Sequence, residues 1–261
     1  MKRFINFSLS VFGIKISYAA AMYIVFSTPM YAQYVMQWRG PDRTGVYNES
    51  NLLKSWPDAG PLLLWSFDSI GNGYGSPVIT SSAIYVNGEI DSGSFLFALD
   101  HSGKFLWKAP IGREWTQNSP GSRNTPTIVD SLVYVTTGLG AVACLEANTG
   151  KKIWSVDMVA DFHAPMVQYG FSESLVVSGN TVFCSPGNPD TNVVALDRFT
   201  GKIQWISKGL GQMTSYCSPA IICLPEREIL VTFSNRALLE LIPRMARSFG
   251  RIRRMWEEIH M

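Results

Sequence analysis

Few residues in this chain have the type and spacing that chemistry requires. His163 follows Asp161 by two positions in Asp161-Phe162-His163-Ala164-Pro165, a pairing suited to acid–base transfer or to a metal ligand. Glu173 is a carboxylate set directly ahead of an apolar stretch, where comparable segments of the chain have Gly75, Asn124 and Cys217. Arg113, Glu114, Trp115, Arg123, Tyr169 and Tyr216 gather in the segments between such stretches. Loops of that kind carry binding residues on a rigid framework. Glu173, Arg123, Asn124, Tyr216 and His163 are therefore the candidate ligand-binding residues. No nucleophile, phosphate-cradling or metal-ligand spacing of useful specificity occurs, so no residue is assigned a catalytic or metal-binding role. Cys144, Cys184, Cys217 and Cys223 include no CxxC and no adjacent pair, and spacing alone leaves any disulfide among them open.

The elements that must position these residues repeat. Phe95 to Trp107, Val142 to Trp154 and Asn192 to Trp205 each read as an apolar strand, an acidic residue, a Gly-Lys turn and a Trp, with Gly four residues before Trp. The acids are Asp100, Glu146 and Asp197; the glycines are Gly103, Gly150 and Gly201; the rings are Trp107, Trp154 and Trp205. A strand ending in a carboxylate, followed by three or four residues closing on Gly, is hairpin chemistry, because the carboxylate accepts turn N–H groups and Gly takes the left-handed conformation. Three copies in register give these nine residues a repeated structural role, the Trp docking one unit on the next. Pro77 to Tyr85, Pro126 to Tyr134 and Leu175 to Phe183 each span eight residues, so the aromatic recurs at one site of each unit. In this alignment Cys144 takes the slot of Ala98 and Ala195, and Cys184 that of Val86 and Val135, as small buried hydrophobes do.

Trp65, Trp107, Trp154 and Trp205 are 42, 47 and 51 residues apart. Units of four short antiparallel strands at this period make an all-β protein, a β-propeller of four-stranded blades, here incomplete at about four blades. Residues 61–235 hold the repeats, with Pro61 to Trp65 read as the return strand of a blade whose other strands lie elsewhere. Residues 33–60, rich in Gly and Pro, form a strap across the domain, and Trp38 and Trp56 within it are expected to be covered. Residues 1–32 run from Lys2 and Arg3 through an apolar stretch to Ala32, the order of a secretory signal peptide. That stretch is shorter than the roughly 20 apolar residues of a spanning helix, so no membrane span is expected after cleavage. The formal charge is +2, yet outside residues 1–32 and 236–261 the chain carries 13 basic and 17 acidic groups, which argues against a nucleic-acid partner.

At Ala98-Leu99-Asp100, Leu145-Glu146 and Ala195-Leu196-Asp197, with their Gly and Trp residues, the chain resembles the quinoprotein-type family of PQQ-binding-like β-propeller repeat proteins. Trp38-Arg39-Gly40-Pro41 and Gly170-Phe171-Ser172-Glu173-Ser174 are similar to stretches of its secreted bacterial members, which implies a periplasmic or secreted location. The family includes alcohol dehydrogenases that use pyrroloquinoline quinone and calcium, and cofactor-free propellers such as the outer-membrane assembly lipoprotein. The dehydrogenases commonly carry a vicinal disulfide and close eight blades; this chain has neither adjacent cysteines nor the length. The expectation is a non-catalytic binding or assembly scaffold without a cofactor. A PQQ-dependent oxidoreductase, or a truncated fragment of one, is the alternative, with Glu173, Asn124 and Arg123 toward calcium and quinone. A partial ring leaves blade faces bare, which suits a protein partner or self-association. Residues 236–261 hold six Arg and no Lys and lack the acidic, Gly-Lys and Trp elements due at that point. They are read as an atypical basic tail from a change of reading frame near Leu239, with an amphipathic helix through Ile252, Met255, Trp256 and Ile259 as the alternative.

Overall fold

The computed structural model describes residues 34–209 and 212–243 and the backbone of Arg253–Arg254. The chain divides into two units, 1–32 and 33–261, and every described residue belongs to the second. The expected signal peptide lies outside the described residues.

Apolar runs bounded by turn residues become strands, and the strands form four antiparallel sheets in chain order. Sheet I contains β2 (Val78–Ile79), β3 (Ile84–Ile90), β4 (Gly93–Leu99) and β5 (Phe105–Arg113). Sheet II contains β6 (Thr127–Val129), β7 (Leu132–Thr136), β8 (Ala141–Glu146) and β9 (Lys152–Asp157), with β1 (Val35–Met36) added along β6. Sheet III contains β10 (Val176–Ser178), β11 (Thr181–Cys184), β12 (Val193–Asp197) and β13 (Ile203–Ser207). Sheet IV contains β14 (Ala220–Leu224), β15 (Arg227–Phe233), β16 (Ala237–Leu241) and β17 (Arg253–Arg254). A helix, α1 (Met158–Phe162), follows β9; Asp157 caps its start by accepting from the N–H groups of Val159 and Ala160.

Sheets II and III are apolar on both faces, because each is packed between two neighbours. Along β7 and β8, Leu132, Tyr134, Val142 and Cys144 face sheet III, whereas Val133, Val135, Ala143 and Leu145 face sheet I. Strand periodicity of two sends alternate residues to opposite faces, and here each face has a sheet to meet. A third cluster joins Phe183, Val193 and Ala195 of sheet III to Leu230, Ala237, Leu239 and Leu241 of sheet IV. Successive blades thus share three interfaces of large buried side chains, each side chain contributing ~1.5–3 kcal/mol.

The acidic-Gly-Trp unit sits at each interface. Register shifts at Ala98/Leu99, Cys144/Leu145 and Ala195/Leu196 put one bulge at the same place in sheets I to III. Behind it, Gly103, Gly150 and Gly201 have φ of 81°, 71° and 70°, each with its N–H bonded to the carbonyl of the acid. The Asp100 carboxylate accepts from the Ser102 hydroxyl and the Lys104 N–H, which hold it below its ordinary pKa. At Asp197 slight burial works the other way, but donors on Thr200 and Phe199 prevail and its pKa is also lowered. The Glu146 carboxylate accepts from the Thr149 hydroxyl.

The rings then cross to the next blade. A Cβ on Gly103 would stand 2.5 Å from Trp65, one on Gly150 2.5 Å from Trp107, and one on Gly201 2.8 Å from Trp154. Trp65 and Trp154 donate to the carbonyls of His101 and Arg198 at 3.1 and 3.0 Å, and Trp205 donates to Pro243 at 2.9 Å. The aromatics of the second strands lie beside them: Tyr85 by Trp107, Tyr134 by Trp154 and Phe183 by Trp205, with centroids 5.8–6.2 Å apart. Tyr85 and Tyr134 also send their hydroxyls to turn carbonyls of the following blade, Ala147 and Arg198. Burial pushes the Cys144 thiol up to about 12 and raises Cys184 as well, so both remain neutral packing groups. All four cysteines are free thiols.

Three readings of the sequence need revision. Trp56, expected to be covered, is 70% exposed, since residues 44–66 pair with no sheet and give the ring nothing to lie on. Pro61 to Trp65 forms no strand among the described residues, because each described third strand already has its own fourth. Leu62, Leu63 and Leu64 stand 84%, 77% and 81% exposed, although Trp65 takes the docking position. Finally, the propeller pattern runs past Asn235. β16 pairs with β15, and Ala237, Leu239 and Leu241 alternate into the interface with sheet III, which offers an apolar face to any period-two run that follows. The alternative helix lies outside the described residues except at Arg253–Arg254, whose backbone pairs with Ala237 and Leu238.

Candidate functional site

Sheets II, III and IV are each entered through a loop that leads from the last strand of the preceding sheet, and sheet I through the irregular segment before β2. These loops are stitched in sequence by a repeated bond. Ser76 N–H donates to the Thr125 hydroxyl at 3.1 Å, Thr125 N–H to the Ser174 hydroxyl at 2.9 Å, and Ser174 N–H to the Ser218 hydroxyl at 2.9 Å. The signal is visible in retrospect as a hydroxyl residue before Pro77, Pro126, Leu175 and Pro219. Gly75 is tightly held in the same layer, where a Cβ would stand 2.1 Å from the Asn124 carbonyl.

Beneath the loops is a buried polar layer. Asn124 accepts from the Asn87 amide and donates to the Thr136 carbonyl, and the Thr136 hydroxyl donates to the Glu173 carbonyl at 2.7 Å. The Glu173 carboxyl accepts from the Ser185 N–H and hydroxyl at 3.0 and 3.2 Å. Burial pushes its pKa up to about 7, although the Ser185 donors and the charge of Arg43 pull it down. Arg43 reaches this layer from the strap. Its guanidinium donates to the carbonyls of Ser174, Leu175 and Pro219 and to the Gln37 side chain, tying strap, sheet III and sheet IV together. Burial lowers its pKa to about 10 against the favourable charge of Glu173. Glu114 accepts from the N–H groups of Trp115 and Gly138 and from the Ser122 hydroxyl; burial nonetheless raises its pKa.

Above that layer an open cleft of about 400 Å³ is built from all four loops. Tyr74 comes from the loop into sheet I, Asn118, Ser119 and Arg123 from that into sheet II, Tyr169 and Ser172 from that into sheet III, and Tyr216 from that into sheet IV. Arg123 donates to the carbonyls of Gly121, Asn118 and Ser119 at 2.7, 3.2 and 2.6 Å and lies 5.7 Å from the centroid of the Tyr74 ring. Asn118 and Ser119 hold φ of 44° and 67°, a left-handed pair unusual outside Gly that aims these carbonyls at the guanidinium. Tyr169 and Tyr216 sit 5.9 Å apart at 49°, and the Tyr169 N–H donates to the Tyr216 hydroxyl at 3.2 Å.

The structure therefore brings Arg123 and Tyr216 into one cleft and sets Asn124 and Glu173 below it. His163 stands elsewhere, exposed at the C-terminal cap of α1 with φ 55°, its carbonyl accepting from Asn188. Tyr74, Asn118, Ser119 and Ser172 had no sequence signal beyond their place in the loops. Among the described residues no group of three or more His, Cys, Asp or Glu stands together as a metal-ligand set. No helix among them is long and apolar enough to cross a membrane.

The family described as outer membrane protein assembly factor BamB matches residues 92–246. Quinoprotein alcohol dehydrogenase PedH of Pseudomonas putida is 32% identical over 104 residues, 40% of this chain and 16% of that protein. Outer membrane protein assembly factor BamB of Nitrosomonas eutropha is 32% identical over 111 residues, 42% of this chain and 24% of that protein. The chain thus spans well under half the length of the curated relatives it matches. The crystal structure of BamB from Moraxella catarrhalis superposes with a TM-score of 0.50 at 20% identity, over 72% of this chain and 51% of that one, a likeness of fold.

Proposed function

The chain belongs to the family of outer membrane protein assembly factor BamB, within the PQQ-like β-propeller repeats, and from that premise we propose that it is a non-catalytic binding or assembly scaffold of the bacterial envelope. The periplasmic or secreted location is part of the same proposal. One observation carries it: the polar side chains best suited to chemistry are spent inside the fold. Asn124 is held between Asn87 and Thr136, both Glu173 oxygens accept from Ser185, and Glu114 takes three donors from its surroundings. Groups so engaged stiffen the blade-entering loops, and a stiff loop layer is what a docking surface needs.

The second reading, a PQQ- and calcium-dependent oxidoreductase, draws on the similarity to the quinoprotein alcohol dehydrogenase. Calcium takes six to eight oxygen ligands. The available donors suit it poorly: Glu173 is buried with its pKa raised to about 7, and Asn124 has both ends of its amide committed. Titrating the purified protein with quinone and calcium while following absorbance separates the readings. The scaffold reading expects no saturable spectral shift; a saturable one, with dye-linked alcohol oxidation, would replace it.

A further inference from the structure

Three half-exposed tyrosines and one arginine meeting in a single cleft are not accounted for by folding. Tyr74, Tyr169 and Tyr216 are 64%, 46% and 48% exposed, and neither blade interfaces nor the buried polar layer use their faces. Among the described residues lining the cleft, Arg123 is the one with a formal charge. Its five N–H groups make three bonds to loop carbonyls, which orient the cation without neutralising it. We propose that this cleft docks an extended acidic peptide segment of a protein partner, a carboxylate meeting Arg123 and the neighbouring residues lying across the tyrosine rings. The proposal rests on the scaffold reading and names its docking surface.

The chemistry supports this occupant in three ways. Tyrosine and arginine are the residues most enriched where interface energy concentrates, and tyrosine offers a large amphipathic contact at little entropic cost. Both are pre-ordered here, Arg123 by its three carbonyls and Tyr216 by the Tyr169 N–H, so little freedom remains to be lost on binding. Charge sets the sign: a lone cation in the lining favours a carboxylate and repels lysine or arginine. The body of the chain is mildly acidic, with 17 acidic against 13 basic groups outside its two ends, so a long polyanion would meet repulsion beyond the cleft. A volume of about 400 Å³ accommodates a short segment rather than a folded surface.

The test uses the full chain and two synthetic octapeptides with equal tyrosine and proline content, one carrying four Asp or Glu residues and the other four Lys, with maltopentaose as a neutral sugar that also stacks on tyrosine. Binding is read by calorimetry at low and moderate salt. The acidic peptide is expected to bind saturably, at least tenfold more tightly than the basic one, and to weaken with salt. Arg123→Gln and Tyr169→Ala should each reduce its affinity at least fivefold. Because Arg123 also holds its loop, Tyr74→Ser, at the most exposed ring, provides a variant whose folding is not at stake and should also weaken binding. Equal binding of both peptides, none by the acidic one, or sugar binding indifferent to Arg123→Gln would overturn the proposal. These outcomes are separable from failure of the scaffold reading, which a saturable quinone spectrum would signal whatever the peptides do.

Discussion

Glu173 and Arg43 are a carboxyl and a guanidinium drawn out of water by different parts of the chain. The Glu173 pKa rises from 4.5 to about 7 on folding, mainly through burial, so the folded state prefers the protonated acid. Its contribution to stability is therefore fully present below pH 4.5 and is lost as pH rises through about 7. The loss is on the order of 3 kcal/mol for a shift of this size. Glu173→Gln, which keeps the shape and an acceptor for Ser185, should flatten the pH dependence of urea unfolding between pH 5 and 8 and raise stability at the upper end. An unchanged slope would mean that Arg43 holds the carboxylate ionised throughout. That Glu173 mattered was legible from its place ahead of an apolar strand. That Arg43 would be its neighbour was not, because residue 43 lies in an irregular stretch 130 positions away and only closure of sheets III and IV against the strap brings them together.

Among the elements, the acidic-Gly-Trp hairpin does the most to hold the blades in sequence. Gly150 has two reasons to be glycine: its φ of 71° and the Trp107 ring, which a Cβ would meet at 2.5 Å. Gly150→Ala should cost about 1–3 kcal/mol through overpacking and strain, read as a lower midpoint of chemical unfolding. Gly179, with φ 55° and no atom within 4 Å of where a Cβ would stand, is the control; its alanine variant adds no side-chain clash and should cost less. The hairpin itself was legible from the spacing of Asp, Gly-Lys and Trp. The hydroxyl stitch from Ser76 to Ser218 was not, since a Ser or Thr before a Pro is common in loops and only adjacency of the blades turns it into a bond.

At the scale of the molecule, the exposed run Leu62-Leu63-Leu64 is the feature a soluble surface would be least expected to tolerate. Its neighbour Trp65 is docked on Gly103, so the leucines are presented at a defined place beside sheet I. Such a run suits the proposed scaffold role, either as a contact for a protein partner or for a second copy of the chain. Leu63→Glu should abolish any concentration-dependent rise in sedimentation coefficient over the micromolar range while leaving the circular dichroism spectrum unchanged. A rise that persists in the variant would place association elsewhere.

The residues alone determined the repeat, the strand order within each blade, the turn glycines and the family, because all of these rest on local periodicity and turn chemistry that need no distant partner. Tertiary structure decided which loop residues share a cleft, which polar groups are buried and which segments flanking the repeats find a face to pack on. Tyr74, Arg123, Tyr169 and Tyr216 span more than 140 positions and meet only because each blade brings its loop to the same side. Trp56 stays in water although its type argues for cover, and Ala237–Leu241 joins sheet IV although its composition departs from the repeat. In both cases the outcome turned on whether an apolar face stood opposite, and that is a property of the packed blades rather than of the residues that meet them.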